Sequence, residues 1–465
     1  MNEVQTTTSE QAIGQTGAAI SIDEITAAGI RIADAVVRTP LEYSARLSGR
    51  VGAQVYLKRE DLQSVRSYKI RGAYNVMAQL TDDERARGVV AASAGNHAQG
   101  VAYACRAMNI RGRIYVPTTT PKQKCDRIRW HGGEFVELIR VGDTFDAAAA
   151  AAQNDVISTG AVWIHAFDDP RTIAGQGTIA AEIVEQLGRV PDLMISPVGG
   201  GGCITGTTAL LRGTDSAVRI LGVEPTGAVS LAAALVAGHP VTLDTIDSFV
   251  DGAAVKRIGA ICAAEMAAAG ATVAEHPLYA GDPSPATAIL PAGTVPPAGG
   301  VHITHVDEGA ICSAMLELYQ NEGIIAEPAG ALTTAALAEI DVAAMDLGPD
   351  ATIVCLVSGG NNDVSRYGEI IERSLVHRGL KHYFLVNFPQ EPGALRRFLD
   401  EVLGPDDDVT LFEYVKRNNR EIGAALVGIE LGAPDGLDPL LDRMDRSRLN
   451  CQRLHPGTPE YEFLT

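Results

Sequence analysis

The stretch DLMISPVGGGGCITGTTALLRG, residues 192–213, constrains the fold more than any other. It reads as a buried strand, a glycine loop and a helix. The pattern recurs in GVVAASAGNHAQGVAYACRAM (88–108), and GRIYVP (112–117) is a strand with the helix KQKCDRIRWHG (122–132) after it. RILGVEP (219–225) and TIVCLVSGGN (352–361) add two further buried strands. Continuous apolar strands with intervening helices predict a parallel sheet in an open α/β architecture from about 21 to 380. Abundant alanine, 48 glycines and only 5% aromatic residues suit close helix–sheet packing.

Near 380 the rhythm changes. HYFLVNF alternates as a half-buried strand, PGALRRFLDEVL is a helix, and DVTLFEYVKR and GAALVGIEL are strands meeting around NNREIG. LDPLLDRMDR and NCQRLH supply a second helix and a last strand. This β-α-β-β-α-β order is the ferredoxin-like unit, placed at 381–455 with a tail at 456–465. Residues 1–20 lack a basic start and an apolar run, and read as a floppy tail. The Pro/Gly-rich segment 276–300 is expected to be an exposed insertion loop.

A chain of 465 residues implies two or three domains, and its net charge of -19 argues against nucleic acid or an anionic membrane as a partner. No apolar stretch reaches membrane-span length without interruption. Seven scattered cysteines without a C-x-x-C pair indicate free thiols in a reducing cytosol rather than disulfides or a metal site.

Three glycine-bearing turns end apolar strands. PVGGGGC (197–203) leaves backbone N–H groups free to converge at a helix N-terminus, which suits a phosphate. No G-x-x-x-x-G-K-[ST] is present, so a nucleotide loop is disfavoured. SAGNHAQG (93–100) suits a carboxylate, or is an ordinary helix cap with His97 at the surface. VSGGNND (357–363) places Ser358 at the carboxyl end of the sheet, as a ligand contact or a plain turn serine. Lys69, in SYKIRGAYNVM, stands at the expected start of a helix, with Ser67 as N-cap and Ile70, Ala73, Tyr74 and Met77 on the apolar face. There the helix dipole opposes an ammonium, and desolvation can bring a lysine down to roughly 7–8, leaving a free amine able to react with carbonyls. Amine, phosphate cradle, carboxylate turn and strand-end serine together describe an aldehyde-and-phosphate cofactor with an amino-acid substrate, and pyridoxal phosphate has those groups.

SYKIRGA, SAGNHAQG, PVGGGGC, EGIIAEPAGA and SGGNND, in this order, resemble the tryptophan-synthase-β-like (fold type II) pyridoxal-phosphate enzymes. Within them the likeness is to biosynthetic threonine dehydratases of the shorter form, with one C-terminal ACT-like domain. The resemblance implies two open α/β subdomains and pyridoxal 5'-phosphate as cofactor. Lys69 would hold it as a Schiff base and move the substrate Cα proton, Tyr68 would pack beside it, and Asn96 would bond its ring hydroxyl. Ser93, Gly95, Asn96 and His97 would bind substrate. Gly199, Gly200, Gly201, Gly202 and Cys203 would take the phosphate through backbone amides, leucine being usual at the last position, and Ser358 would face the pyridine nitrogen. No metal is implied. The reaction would be deamination of L-threonine, with L-serine as a rival substrate, to 2-oxobutanoate and ammonia on the way to isoleucine. Isoleucine would inhibit it through the ACT-like domain, and the assembly would be a cytoplasmic homotetramer. Racemases of this fold tend to carry serine where Ala94 stands, so elimination is favoured over racemisation. Outside enzymes, the rival reading is an amino-acid sensor on an inactive scaffold, against which Lys69 and the phosphate loop both argue.

Overall fold

The computed structural model describes residues 20–273, 298–414, 421–447, 449–455, 458 and 461. Most of the 1–20 tail, of the 276–300 segment and of the 456–465 tail lies outside the described residues. The chain divides into a larger unit holding almost everything up to Asn362 and a smaller one built on Asp363–Thr465 with Gly309–Glu317.

In the larger unit, β1 (Leu41–Tyr43) runs antiparallel to β2 (Gln54–Arg59). The chain then builds a separate parallel sheet from β3 (Val89–Ala92), β4 (Gly112–Val116), β5 (Val136–Arg140) and β6 (Val162–Trp163), in the order β5-β4-β3-β6. It returns through β7 (Leu193–Pro197), β8 (Arg219–Pro225), β9 (Thr272–Val273), β10 (Val301–Val306) and β11 (Thr352–Val357). These join the first two strands in a seven-stranded sheet of order β1-β2-β11-β7-β8-β10-β9, parallel throughout apart from β1. Every residue of β7, β10 and β11 is buried, as continuous apolar strands require. The five strands expected in this part all form, as β3, β4, β7, β8 and β11; β1, β2, β5, β6, β9 and β10 are additional, and the two histidines of β10 (VHITHV) disguise it.

Glycine sets how closely the helices beside the site approach. A Cβ on Gly175 would lie 2.7 Å from Arg71 O, and one on Gly206 would lie 2.3 Å from Ile173 O. The helices Lys69–Ala78, Pro170–Leu187 and Gly202–Thr214 therefore meet backbone to backbone. The middle helix starts with Asp169 as cap and Pro170 in its first turn, and ends on left-handed Gly188. This contact ties the Lys69 helix to the helix that the four-glycine loop opens.

The smaller unit contains β12 (Lys381–Pro389), β13 (Asp408–Tyr414), β14 (Ile422–Glu430) and β15 (Asn450–Leu454), all antiparallel in the order β13-β14-β12-β15. Helices Ala394–Val402 and Leu437–Arg446 complete the expected β-α-β-β-α-β order. Phe384, Phe388, Phe398, Val427 and Leu440 form its core. Among the described residues no helix is long and apolar enough to cross a membrane.

Candidate active site

Lys69 is the first residue of its helix, and no acidic residue offsets the dipole in that first turn. Ser67 is not the N-cap. The residue before the helix is Tyr68, in helical conformation and without a side-chain cap. Ser67 instead makes an antiparallel bridge to Gly359, and Tyr68 N donates to Ser358 O at 3.1 Å. The backbone is thus committed to the loop after β11, which pins Lys69 to the carboxyl end of the sheet. Ile70, Ala73 and Met77 are fully buried and Tyr74 partly so, as the apolar face predicts.

The Lys69 side chain is partly accessible yet densely surrounded. Its Nζ lies 3.3 Å from Ala166 O and 5.2 Å from the Tyr68 ring centre, and has no carboxylate partner in the described structure. Burial lowers its pKa, against opposing pulls from Cys203, Cys262 and Glu327. The two thiols are themselves pushed up by burial, Cys203 to about 12, so near neutrality they are uncharged and only Glu327 opposes the burial.

The four-glycine loop follows β7 and is tightly enclosed. A Cβ on Gly199 would stand 2.9 Å from Ala253 Cα, and one on Gly200 2.1 Å from the Phe167 ring. Gly201 has φ +93°, a left-handed value, and caps the following helix without a side-chain bond. The first amides of that helix thus lack a protein cap, and Thr205 Oγ1 in its first turn is buried with only the Cys262 thiol beside it. Unsatisfied amides, a dipole and a buried hydroxyl at one helix start fit a phosphate group. Sequence reasoning missed the loop HAFDD, 165–169. His165 Nδ1 accepts from Phe167 N and Asp168 N, Asp168 caps the helix Ala260–Ala268, and Ala166 O meets Lys69. Only its position after β6, at a strand's carboxyl end, hinted at this.

The turn after β3 brings Ser93, Ala94, Gly95 and Asn96 to the start of the helix Asn96–Met108. Ser93 Oγ accepts from Gly95 N at 3.2 Å. His97 is buried rather than superficial. Its Nε2 lies 2.8 Å from Ile164 O, which makes Nε2 the protonated nitrogen, and burial lowers the ring pKa to about 3. The neutral imidazole is engaged with backbone, leaving the His97 N–H for any carboxylate. Asn96 donates from Nδ2 to Glu327 at 2.6 Å and accepts at Oδ1 from Asn361 Nδ2 at 2.7 Å. Ser358 is buried, and its hydroxyl donates to Ala329 O at 3.1 Å. Glu327 is a site residue that the sequence did not single out. It is buried, and burial, aided by Asp251, raises its carboxyl to about 7.

A buried ionic cluster anchors the Lys69 helix. Arg71 Nη2 and Nε meet the two oxygens of Glu60 at 2.7 and 2.8 Å, and Nη1 meets Glu182 at 2.7 Å. Lys58 Nζ meets the same Glu182 at 2.6 Å. Arg71, Lys58 and Glu60 are all fully buried. Burial pushes Glu60 up, but Arg71 and Lys58 outweigh it and its carboxyl stays below the ordinary value. In sequence these four read as ordinary surface charges.

An amine, an uncapped glycine-loop helix start and a strand-end serine thus lie together at the carboxyl edge of an open α/β sheet. The pyridoxal-phosphate dependent enzyme family matches residues 32–359, and the C-terminal regulatory domain of threonine dehydratase matches 372–464. The biosynthetic L-threonine dehydratase of Mycobacterium tuberculosis is 60% identical over 441 residues, 95% of each chain. Threonine deaminase isoform 2 of Solanum lycopersicum superimposes with a TM-score of 0.64 at 34% identity, covering 78% of this chain and 97% of that one. Maize serine racemase gives a TM-score of 0.64 at 29% identity, covering 78% and 99%. The chain belongs to the biosynthetic threonine dehydratases.

Proposed function

We propose that the chain deaminates L-threonine to 2-oxobutanoate and ammonia, as the first step towards isoleucine, in a catalytic region spanning 21–380. The observation that carries this reading is Lys69, held uncompensated at a helix start between the four-glycine loop and Ser358. Pyridoxal phosphate, when bound, supplies the aldehyde that captures amines and the electron sink that acidifies the substrate Cα–H.

Residues 199–203 hold the phosphate through backbone amides, where a side chain would collide with Phe167 or Ala253. Lys69 would hold the cofactor through Nζ, and its amine would be the base that takes the substrate Cα proton. Burial shifts that nitrogen towards the neutral form the task needs. Tyr68 flanks it, and Asn96 donates to the ring oxygen of the cofactor. Ser93, Gly95 and Asn96, with the backbone of His97, orient the substrate carboxylate. Ser358 would face the pyridine nitrogen as an uncharged side chain. Ala94 offers no acid or base to the opposite face of Cα, which favours elimination over racemisation.

Residues 381–455 form an ACT-like regulatory domain through which isoleucine inhibits. A cavity of about 380 Å³ there sets Asn387, Arg397, Glu401 and Asn450 around apolar Phe398 and Ile422, chemistry suited to a small amino acid. The enzyme works in the cytoplasm as a homotetramer.

Borohydride treatment of the holoenzyme followed by peptide mass analysis tests the central assignment. A cofactor adduct on Lys69, with loss of the visible band, is the expected result. An adduct elsewhere, or none, refutes it.

A further inference from the structure

The hydrogen bonds around Asn96 have a forced direction. Asn361 Nδ2 donates to Val65 O at 2.8 Å and to Asn96 Oδ1 at 2.7 Å. A backbone carbonyl can only accept, so the group facing it must be the NH2 of Asn361. Both amide hydrogens of Asn361 are then in use, and Asn96 must present its carbonyl to them. Its own NH2 therefore points the other way, where Glu327 accepts one hydrogen at 2.6 Å. Arg127 Nη2, 3.4 Å from Asn361 Oδ1, fits the same assignment as a donor. One N–H of Asn96 remains without a partner among the described contacts.

The surroundings hold this arrangement in place. Glu327 is 4% exposed, and a Cβ on Gly359 would stand 2.2 Å from its Oε1. Gly359 is thus the residue type that admits the carboxylate. Glu327 N also donates to Gly359 O at 3.1 Å, so the residue is tied to the loop that carries Ser358 and Asn361.

We infer that Asn361 and Glu327 are positioning residues that clamp the Asn96 amide in one orientation, so that its remaining N–H is an obligatory donor to the ring oxygen of the cofactor. This rests on the assignment of Asn96 to that oxygen. The clamp matters because an amide can turn over at little cost in shape. A reversed Asn96 would set its carbonyl against an oxygen that carries negative charge, replacing attraction by repulsion.

The test uses four variants of the holoenzyme: Asn96→Ala, Asn361→Asp, Asn361→Ala and Glu327→Gln. For each, the pH midpoint of the visible cofactor band and the dissociation constant of pyridoxal phosphate are measured. A donor to the ring oxygen stabilises its anionic form, so losing it raises the midpoint. Asn96→Ala should raise it by about one unit and weaken cofactor retention about tenfold, the effect of one charge-assisted hydrogen bond. Asn361→Asp keeps the shape but cannot donate, and Asn361→Ala removes the donor without adding charge, so both should move the midpoint in the direction of Asn96→Ala. Glu327→Gln offers an amide that can turn its NH2 towards Asn96, so it loosens the clamp and should move the midpoint in the same direction, and an unmoved midpoint removes Glu327 from the clamp. If Asn361→Asp does not fold, Asn361→Ala carries the test. A shift with Asn96→Ala but none with the Asn361 variants overturns the clamp. No shift with Asn96→Ala overturns the Asn96 assignment itself.

Discussion

Replacing Arg71 with leucine should destabilise the larger unit by about 3–5 kcal/mol, the usual consequence of removing one partner from a buried ion pair. The cluster holds two cations, Arg71 and Lys58, and two carboxylates, Glu60 and Glu182. Without Arg71, a single ammonium faces two carboxylates, and Glu60 is left fully buried with only the Thr39 hydroxyl and the Gln63 amide as neutral donors. At about 2 °C per kcal/mol for a unit of this size, the calorimetric transition should fall by roughly 6–10 °C. The double variant Arg71→Leu/Glu60→Leu leaves Lys58 paired with Glu182 and restores the charge balance. It should therefore be more stable than Arg71→Leu alone by about 2 kcal/mol, although two residues have changed. Scanning calorimetry of wild type, both single variants and the double variant closes the cycle. A single-variant loss below about 1 kcal/mol, or a double variant no better than Arg71→Leu, refutes the view that the cluster is tightly coupled.

Three further outcomes are expected. Gly200→Ala drives a methyl into the Phe167 ring, and overpacking of about 1–3 kcal/mol at the loop should appear as at least tenfold weaker pyridoxal-phosphate retention in equilibrium dialysis. His97 has its folded pKa lowered to about 3 against an ordinary 6.5, so its contribution to stability is complete above pH 6.5 and is lost as pH falls towards 3. Denaturant titrations from pH 6 to 4 should show wild type losing up to about 1.4 kcal/mol per pH unit more than His97→Asn, and parallel profiles would contradict the buried neutral ring. Deleting 381–465 should abolish inhibition by isoleucine in a turnover assay, and unchanged inhibition would place the effector elsewhere.

Much of this was legible in the sequence because it is local. The apolar runs that became β3, β4, β7, β8 and β11, and the β-α-β-β-α-β order after 380, are written in short windows whose period decides the element. The four glycines and the cation at a helix start are likewise local anomalies. What stayed hidden depends on residues far apart in the chain. Glu327 meets Asn96 across 231 positions, and Arg71 meets Glu182 across 111. Neither carboxylate differs in sequence from an exposed one, and only the fold reveals the burial of Glu327 and the two cations that meet Glu182. Ser67 failed as a cap for a related reason: its bridge to Gly359 is a tertiary contact that overrides a local preference. The loop 165–169 escaped notice because its role lies in backbone atoms, Ala166 O above all, which side-chain identity does not announce.

Incubation of the purified holoenzyme with L-threonine tests the central claim most directly. The account predicts equal amounts of 2-oxobutanoate and ammonia, a lower kcat/KM with L-serine, and loss of both activities in Lys69→Ala. Epimerised threonine without ammonia, or full turnover by Lys69→Ala, would contradict it.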